Sequence, residues 1–225
     1  VAKQALAQYG IIVGSHILQI NDIKEERFNP MGVSDAELAE LHTKKFAVMD
    51  DAVGEKMQER ILQAKSELNS VGGVIEAIAL HLPAGIGAPY FDSVESMLSH
   101  ALFSVPAVKG VEFGDGFGFA RLTGAEANDA LHYVDGKVKA LTNHNGGITG
   151  GITNGMPFVV RVAIKPTPSI AREQQTVSLK EQADTTLAIV GRHDPCIVQR
   201  AVPVIEAVVA WTLWDLLLEA KKWEK

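Results

Sequence analysis

Cysteine is nearly absent from this 225-residue sequence. Cys196 stands alone, so no disulfide can form within the chain, and a reducing compartment, the cytoplasm, is the expected home. Positive charge is also short. Lys and Arg number 21 against 27 Asp and Glu, a formal net charge of −6, which argues against a nucleic-acid partner but not against a local pocket for a small anion. No membrane span is expected, because the most apolar stretch, 201–220, is broken by Pro203, Glu206, Asp215 and Glu219. No basic region followed by an apolar one opens the chain as a signal peptide would. Also missing are a His-Glu-x-x-His or paired-cysteine metal motif, a Gly-x-Ser-x-Gly nucleophile elbow, the dinucleotide fingerprint and the Lys-Ser/Thr ending of a phosphate loop. Finally, no Ser, Thr, Asp or Asn precedes the helix expected over 1–8, so the natural chain is expected to begin upstream of Val1.

The remaining composition is 47% hydrophobic and 21% charged, enough apolar surface to offset ordering entropy, so a folded domain is expected rather than a disordered chain. Neither a repeat nor a linker divides it, and 1–225 is expected to be a single domain. Strands are expected over 10–19 and 74–82, over 108–113, and over 158–165, where Phe158, Val160, Val162 and Ile164 alternate with Val159, Arg161, Ala163 and Lys165. A further pair is expected over 176–179 and 186–190. Helices are expected from the Ser34/Glu37 capping box to His42, over 51–68 with Gly72-Gly73 as its stop, and from an Asp92/Glu95 capping box to Phe103. One or two helical turns fit 126–132. Pro203 should open a last helix to about Lys222, carrying Trp211, Trp214 and Trp223 for helix packing or a subunit contact. Strands joined by helices and by short glycine turns predict a mixed or antiparallel sheet layered with helices.

Three segments carry candidate chemistry. The run from Asn145 to Gly155 packs five glycines into eleven residues, which suits either a tight connection or a backbone cradle for a phosphate or flat ring. Lys165-Pro166-Thr167-Pro168-Ser169 ends the alternating strand, either as a terminator or as a set of donors to an anion. Gly191-Arg192-His193-Asp194-Pro195-Cys196 sets a guanidinium, an imidazole and a carboxylate side by side after a strand. Arg192 can grip a phosphate, and Asp194 can act as a base modulated by its cationic neighbours. Of the other histidines, His81 and His100 read as structural, and His144 is a minor candidate for lining a pocket.

Those segments, together with Asn69-Ser70-Val71-Gly72-Gly73-Val74-Ile75-Glu76, Gly110-Val111-Glu112-Phe113-Gly114-Asp115-Gly116-Phe117 and Arg200-Ala201-Val202-Pro203, resemble the chorismate synthase family in order, spacing and identity. The resemblance implies an α+β fold, a β-α-β sandwich with helices between antiparallel sheets, in a homotetramer. It implies a lyase that converts 5-enolpyruvylshikimate 3-phosphate to chorismate by 1,4-elimination of phosphate and a proton, on the route to aromatic amino acids. Reduced FMN is the implied cofactor, with NADPH as its reductant in members that regenerate it themselves. By the same resemblance Pro106, Ala107, Gly150, Lys165, Pro166, Thr167, Pro168, Ser169 and Arg192 belong to the flavin site, and Asp194 is the carboxylate that assists deprotonation.

The sequence departs from the family at Pro106, where many members carry Asn or Gln, and at Gln199, where proline is common. It also lacks a Gly-Glu-Ser-His-Gly motif, a second essential histidine, substrate-binding arginines and an Arg-Ser-Ser flavin-phosphate motif. The chain therefore resembles the C-terminal two-thirds of a complete enzyme, and none of its seven histidines matches a general-acid histidine of the family. Little or no turnover is expected of it alone. The alternative expectation is a non-catalytic scaffold or assembly module built on the tryptophan-bearing helix.

Overall fold

A computed structural model describes residues 1–221; Lys222 and Trp223, expected in the last helix and on its packing face, lie outside the described residues. The alternating apolar segments pair into one five-stranded antiparallel sheet. Its order is β2 (Ile23–Lys24), β1 (Ile12–Ile20), β3 (Gly73–Leu80), β9 (Phe158–Ile164) and β4 (Val108–Phe113). Three two-stranded ribbons lie outside it: β5 (Leu131–Val134) with β6 (Lys137–Ala140), β7 (Ile148–Thr149) with β8 (Ile152–Thr153), and β10 (Gln174–Ser178) with β11 (Ala183–Leu187). The α+β class expected from the sequence is the one observed.

The period of two sorts the strands into two faces. On one face Val13, Ile17, Ile75, Ala77, Phe158, Val160 and Val162 meet the main core with α1 (Ala2–Ala7), α3 (Asp51–Ser66), α4 (Val94–Phe103) and α5 (Val198–Lys221). On the other, Ile78, Leu80 and Val159 form a smaller core with Phe28 and with Leu38 and Leu41 of α2 (Asp35–Thr43). Helix α5 is long and apolar enough to cross a bilayer by length and composition. Here it is the core helix of the larger face, burying Val198, Val202, Ile205, Val209, Leu213 and Leu216 against the sheet side.

Several boundaries differ from the sequence reading, among them the strand pair expected over 176–179 and 186–190, which forms at Gln174–Ser178 and Ala183–Leu187. Helix α3 stops at Ser66 because Leu68 turns left-handed at φ 55°, ahead of the glycines. Helix α4 is capped by Ser93, whose Oγ accepts from the Ser96 amide, while Asp92 closes a short 3-10 turn. Residues 126–132 form no helix. Thr123 and Glu126 close a turn, and 131–140 is a hairpin folded at Asp135 and Gly136, both at positive φ. Helix α5 begins at Val198, with Pro203 inside it. The Ser34/Glu37 capping box forms as expected.

Candidate functional site

Most of the candidate residues meet at one end of the sheet, where β9 finishes and β3 begins. Loop 69–72 is the hub. Its Ser70 Oγ donates to the Thr167 carbonyl at 2.6 Å, and its Val71 amide donates to the Pro195 carbonyl at 2.8 Å. A side chain at Gly72 would run into the Ile164 carbonyl and Pro166, so only glycine lets this loop lie against the 165–169 turn. The Lys165 amide donates to the Ala107 carbonyl at 2.9 Å, which brings in the connection between α4 and β4. There Val105, Pro106, Ala107 and Val108 make a turn with proline second and Ala107 third at φ 72°, closed by a 3.3 Å bond from Val108 N to Val105 O. Pro106 is exposed and serves that turn.

The chemistry-bearing side chains at this end face solvent. Lys165, Pro166, Pro168, Ser169 and Arg192 are exposed, and Thr167 is half-buried. No carboxylate among the described residues pairs with Lys165 or Arg192. Asp194 does have a partner: the exposed Arg200, on the first turn of α5, forms an ion pair with it, Nη2 lying 2.9 Å from Oδ2. His193 bonds the Ile189 carbonyl through Nε2 at 2.8 Å, a role in the loop. Cys196 is buried, and burial pushes its thiol above the ordinary value.

Gly150 lies elsewhere. Gly150 and Gly151, at φ 63° and 86°, make the turn of the β7–β8 hairpin, and Gly151 O accepts from Val94 N at 3.0 Å. That is the N-terminal end of α4, whereas Pro106 and Ala107 follow its C-terminal end. Ten helical residues at about 1.5 Å each put roughly 15 Å between the two places. Nothing stands within 4 Å of where a Gly150 side chain would be, so its backbone is open to close approach. The structure therefore gathers Pro106, Ala107, residues 165–169, Arg192 and Asp194 at one end, and does not bring Gly150 to them within one chain.

A second constellation escaped the sequence reading. His16 of β1, Glu76 of β3, Arg161 of β9 and Glu112 of β4 are consecutive cross-strand partners, one charged residue per strand in a single row on the smaller-core face. His16 and Glu76 are 0% exposed and Arg161 is 4% exposed. Arg161 Nη1 donates to Glu76 Oε1 at 3.1 Å, its Nε to Glu112 Oε1 at 2.6 Å and its Nη2 to the Gly114 carbonyl. His16 faces Glu76 Oε2 through Nε2 at 3.1 Å and the buried Glu25 through Nδ1. With a carboxylate at each nitrogen, only the imidazolium can donate to both.

Burial alone would lower the His16 pKa, but its bonds and charge interactions with Glu25 and Glu76 outweigh that and raise it. Burial alone would raise the Glu76 pKa, yet His16, the Phe28 amide and Arg161 hold it below the ordinary value. The outer groups tie in loops. Glu25 accepts from the Met49 and Asp50 amides ahead of α3, Glu76 from the Phe28 amide at 2.6 Å, and Glu112 from the Phe117 amide at 3.2 Å. The available signal was parity: Glu76 and Arg161 sit on inward-facing positions of otherwise apolar strands, where an unpaired charge would be costly.

The opposite face of β1 holds a smaller polar cluster. Ser15 Oγ donates to Glu206 of α5 at 2.8 Å, and Lys3 and His42 reach the same carboxylate. At the end of the sheet away from Lys165, a pocket of about 630 Å³ opens beside Glu112.

With the geometry in place, the chain can be set beside known proteins. A family model described as chorismate synthase matches residues 1–218. The chain is 44% identical over 223 residues to the chorismate synthase of Thermococcus gammatolerans, covering 99% of this chain and 61% of that protein. It is 43% identical to that of Pyrococcus abyssi over the same coverage, and 50% identical over 171 residues to that of Dehalococcoides mccartyi, covering 76% of this chain and 47% of that one. A crystal structure of a chorismate synthase superposes with a TM-score of 0.78 at 30% identity, covering 97% of this chain and 60% of that one. The chain thus spans about three-fifths of the length of the archaeal relatives.

Proposed function

Because the chain belongs to the chorismate synthase family, we propose that it supplies the cofactor-holding end of a cytoplasmic carbon–oxygen lyase. The reaction is the 1,4-elimination of phosphate and a proton from 5-enolpyruvylshikimate 3-phosphate to give chorismate, with reduced FMN as cofactor and NADPH as a source of its electrons. The observation that carries this reading is the convergence of Ala107, Lys165, Thr167 and Pro195, with their neighbours Arg192 and Asp194, around loop 69–72.

The residues fit an anionic flavin. Lys165 and Arg192 are exposed cations without a carboxylate partner among the described residues, Thr167 and Ser169 add hydroxyl donors, and the Pro106-Ala107 turn presents backbone beside them. When bound, the reduced flavin supplies transient electron density as phosphate leaves. The chain's own residues do the rest. Lys165 and Arg192 hold anionic groups, and the rigid 165–169 turn orients them. Asp194 takes a proton on its carboxylate, beside its ion-pair partner Arg200. The family's general-acid histidines and phosphate-binding arginines have no counterpart in residues 1–225, so turnover by this chain alone is proposed to be slight.

Anaerobic titration with reduced FMN tests the cofactor site. Saturable binding should weaken about tenfold or more in Lys165→Ala and in Arg192→Ala, the size of a lost charge-assisted hydrogen bond. Chorismate absorbance should stay near background for the chain alone and rise when the N-terminal two-fifths of a relative is added in trans. Turnover near that of a complete enzyme by the chain alone would overturn the partial-activity reading. Absence of saturable flavin binding with the added segment would leave the scaffold alternative.

A homo-oligomer is part of the same proposal. A second copy would bring its own Gly150 to a flavin held by residues 165–169 without the flavin having to span the length of α4. The exposed apolar residues of α5, Val204, Trp211 and Leu218, recur every seven residues along one stripe, as a helix pairing with another chain requires. Trp214 instead packs inward on Tyr9, ring centroids 5.6 Å apart.

A further inference from the structure

The buried row does more than join strands: its hydrogen bonds fix two arginine-bearing segments on one pocket. Glu76 accepts the Phe28 amide, and the Phe28 ring lies 4.3 Å from that of His16, so Arg27 is held between two anchored residues, Glu25 and Phe28. Asn143 pins the same segment by donating to the Pro30 carbonyl at 2.7 Å. At the other end of the row, Glu112 accepts the Phe117 amide, and Asp115 O accepts Gly118 N at 2.8 Å; these set the short 3-10 helix Gly116–Arg121. Arg27 and Arg121 then line the same pocket of about 630 Å³, with Glu112, Asp115 and Phe117. That volume lies in the range of small-molecule sites.

The charges in the pocket are unevenly matched. Glu112 is already bonded to Arg161 at 2.6 Å, and Asp115 to His144 Nδ1 at 2.6 Å. No carboxylate among the described residues pairs with Arg27 or Arg121. Two arginines and two carboxylates line the pocket, and because both carboxylates are already bonded within the protein, the two guanidiniums are the groups left to meet a ligand. Phe117, 86% exposed, adds an aromatic face on the lining.

We propose that this pocket is a second ligand site, separate from the flavin end, which binds a small molecule carrying at least two negative charges through Arg27 and Arg121. Two anion chemistries fit two guanidiniums, a phosphate ester and a polycarboxylate, and both make bidentate bonds with arginine. The His16–Glu76–Arg161–Glu112 row acts as the positioning element, holding both arginines from beneath. The proposal does not rest on the assigned reaction, since none of these residues lies at the 165–169 end.

Amide resonances of the protein, titrated separately with inorganic phosphate and with citrate at constant ionic strength, provide the test. The amides of residues 116–122 should shift saturably with at least one anion. Arg27→Gln and Arg121→Gln, both at exposed positions, should each weaken that binding about tenfold, the loss expected for one charge-assisted hydrogen-bond partner. A stronger response to phosphate assigns the phosphate-ester class, and a stronger response to citrate the polycarboxylate class. Two outcomes overturn the site: no saturable shift of 116–122 with either anion up to roughly 50 mM, below which even millimolar sites saturate, or shifts that persist undiminished in a folded Arg27→Gln/Arg121→Gln double variant.

Discussion

His16, Glu76, Arg161 and Glu112 sit one to a strand, the first three buried and Glu112 half-buried, each with two or more charged or backbone partners. Lys165, Arg192 and Asp194 sit on loops at the end of the same sheet, and of the three only Asp194 has an ion-pair partner among the described residues, the exposed Arg200. The two regions use the same residue types in opposite ways. In the row, each charge is committed to another part of the protein, and removing one leaves its neighbours buried and unmatched. At the loop end the two cations are uncommitted, and rigidity comes from bonds to the backbone, those from the Ser70 hydroxyl and the Val71 and Lys165 amides, and from the strained Ala107 turn. A site that must meet a ligand keeps its donors free, while a network that shapes a fold uses them up.

Removing one guanidinium from each region should separate the two most widely. Arg161→Met would leave the buried Glu76 with His16 as its one charged partner among the described residues, Glu112 without its ion pair and the Gly114 carbonyl without the Arg161 donor. Breaking a buried ion pair from one side costs about 3–5 kcal/mol. The expected result in urea unfolding is a loss of that order, against almost none for Arg192→Met. Equal losses in the two variants would show that burial of the row contributes nothing special.

Next in size is the response to pH. His16 has a raised pKa, so its contribution is fully present below about its ordinary 6.5 and is lost as pH rises through the higher folded value. Glu76 has a lowered pKa, so its contribution is present above about its ordinary 4.5 and is lost as pH falls through the lower folded value. Stability should therefore be greatest between those two ordinary values and decline on both sides. Measured as urea midpoints across pH, His16→Asn should flatten the alkaline decline and leave the acid one. An unchanged alkaline limb in that variant would assign it to other groups.

Why one region was legible in the sequence and the other was not follows from how each is built. The loop end is made of contiguous segments, 165–169 and 191–196, so chemistry that is close in space is also close along the chain. The row draws its members from positions 16, 76, 112 and 161, which nothing short of strand register brings together. Glu76 and Arg161 were each visible on a strand, but pairing them needed the alignment of β3 with β9. The same limit explains the helix expected over 126–132, where local spacing outweighed the Asp135-Gly136 turn signal that a hairpin there requires. It also explains Gly150, close to the other candidates in sequence and a helix length away in space.

Ala107 gives a smaller test within the loop end. At φ 72° its side chain occupies a region that costs an ordinary residue about 1 kcal/mol or more. Ala107→Gly should stabilise the chain by roughly 0.5 kcal/mol once the greater freedom of glycine in the unfolded state is set against that relief. If flavin binding weakens at the same time, the strained turn is itself part of the site.

The smallest effect on stability is expected at Lys165, and it is the most informative about purpose. Lys165 is exposed, without a carboxylate partner among the described residues, and only its backbone is engaged, through the bond to the Ala107 carbonyl. Lys165→Ala keeps that bond, so its unfolding free energy should stay within about 0.5 kcal/mol of the parent. A residue that serves the fold would show its loss in unfolding; a residue kept for a ligand shows it only when the ligand is present. The same variant should therefore look unchanged in urea and weakened about tenfold in reduced-FMN titration. A variant destabilised well beyond that margin would put Lys165 with the row instead, as one more charge committed to the fold.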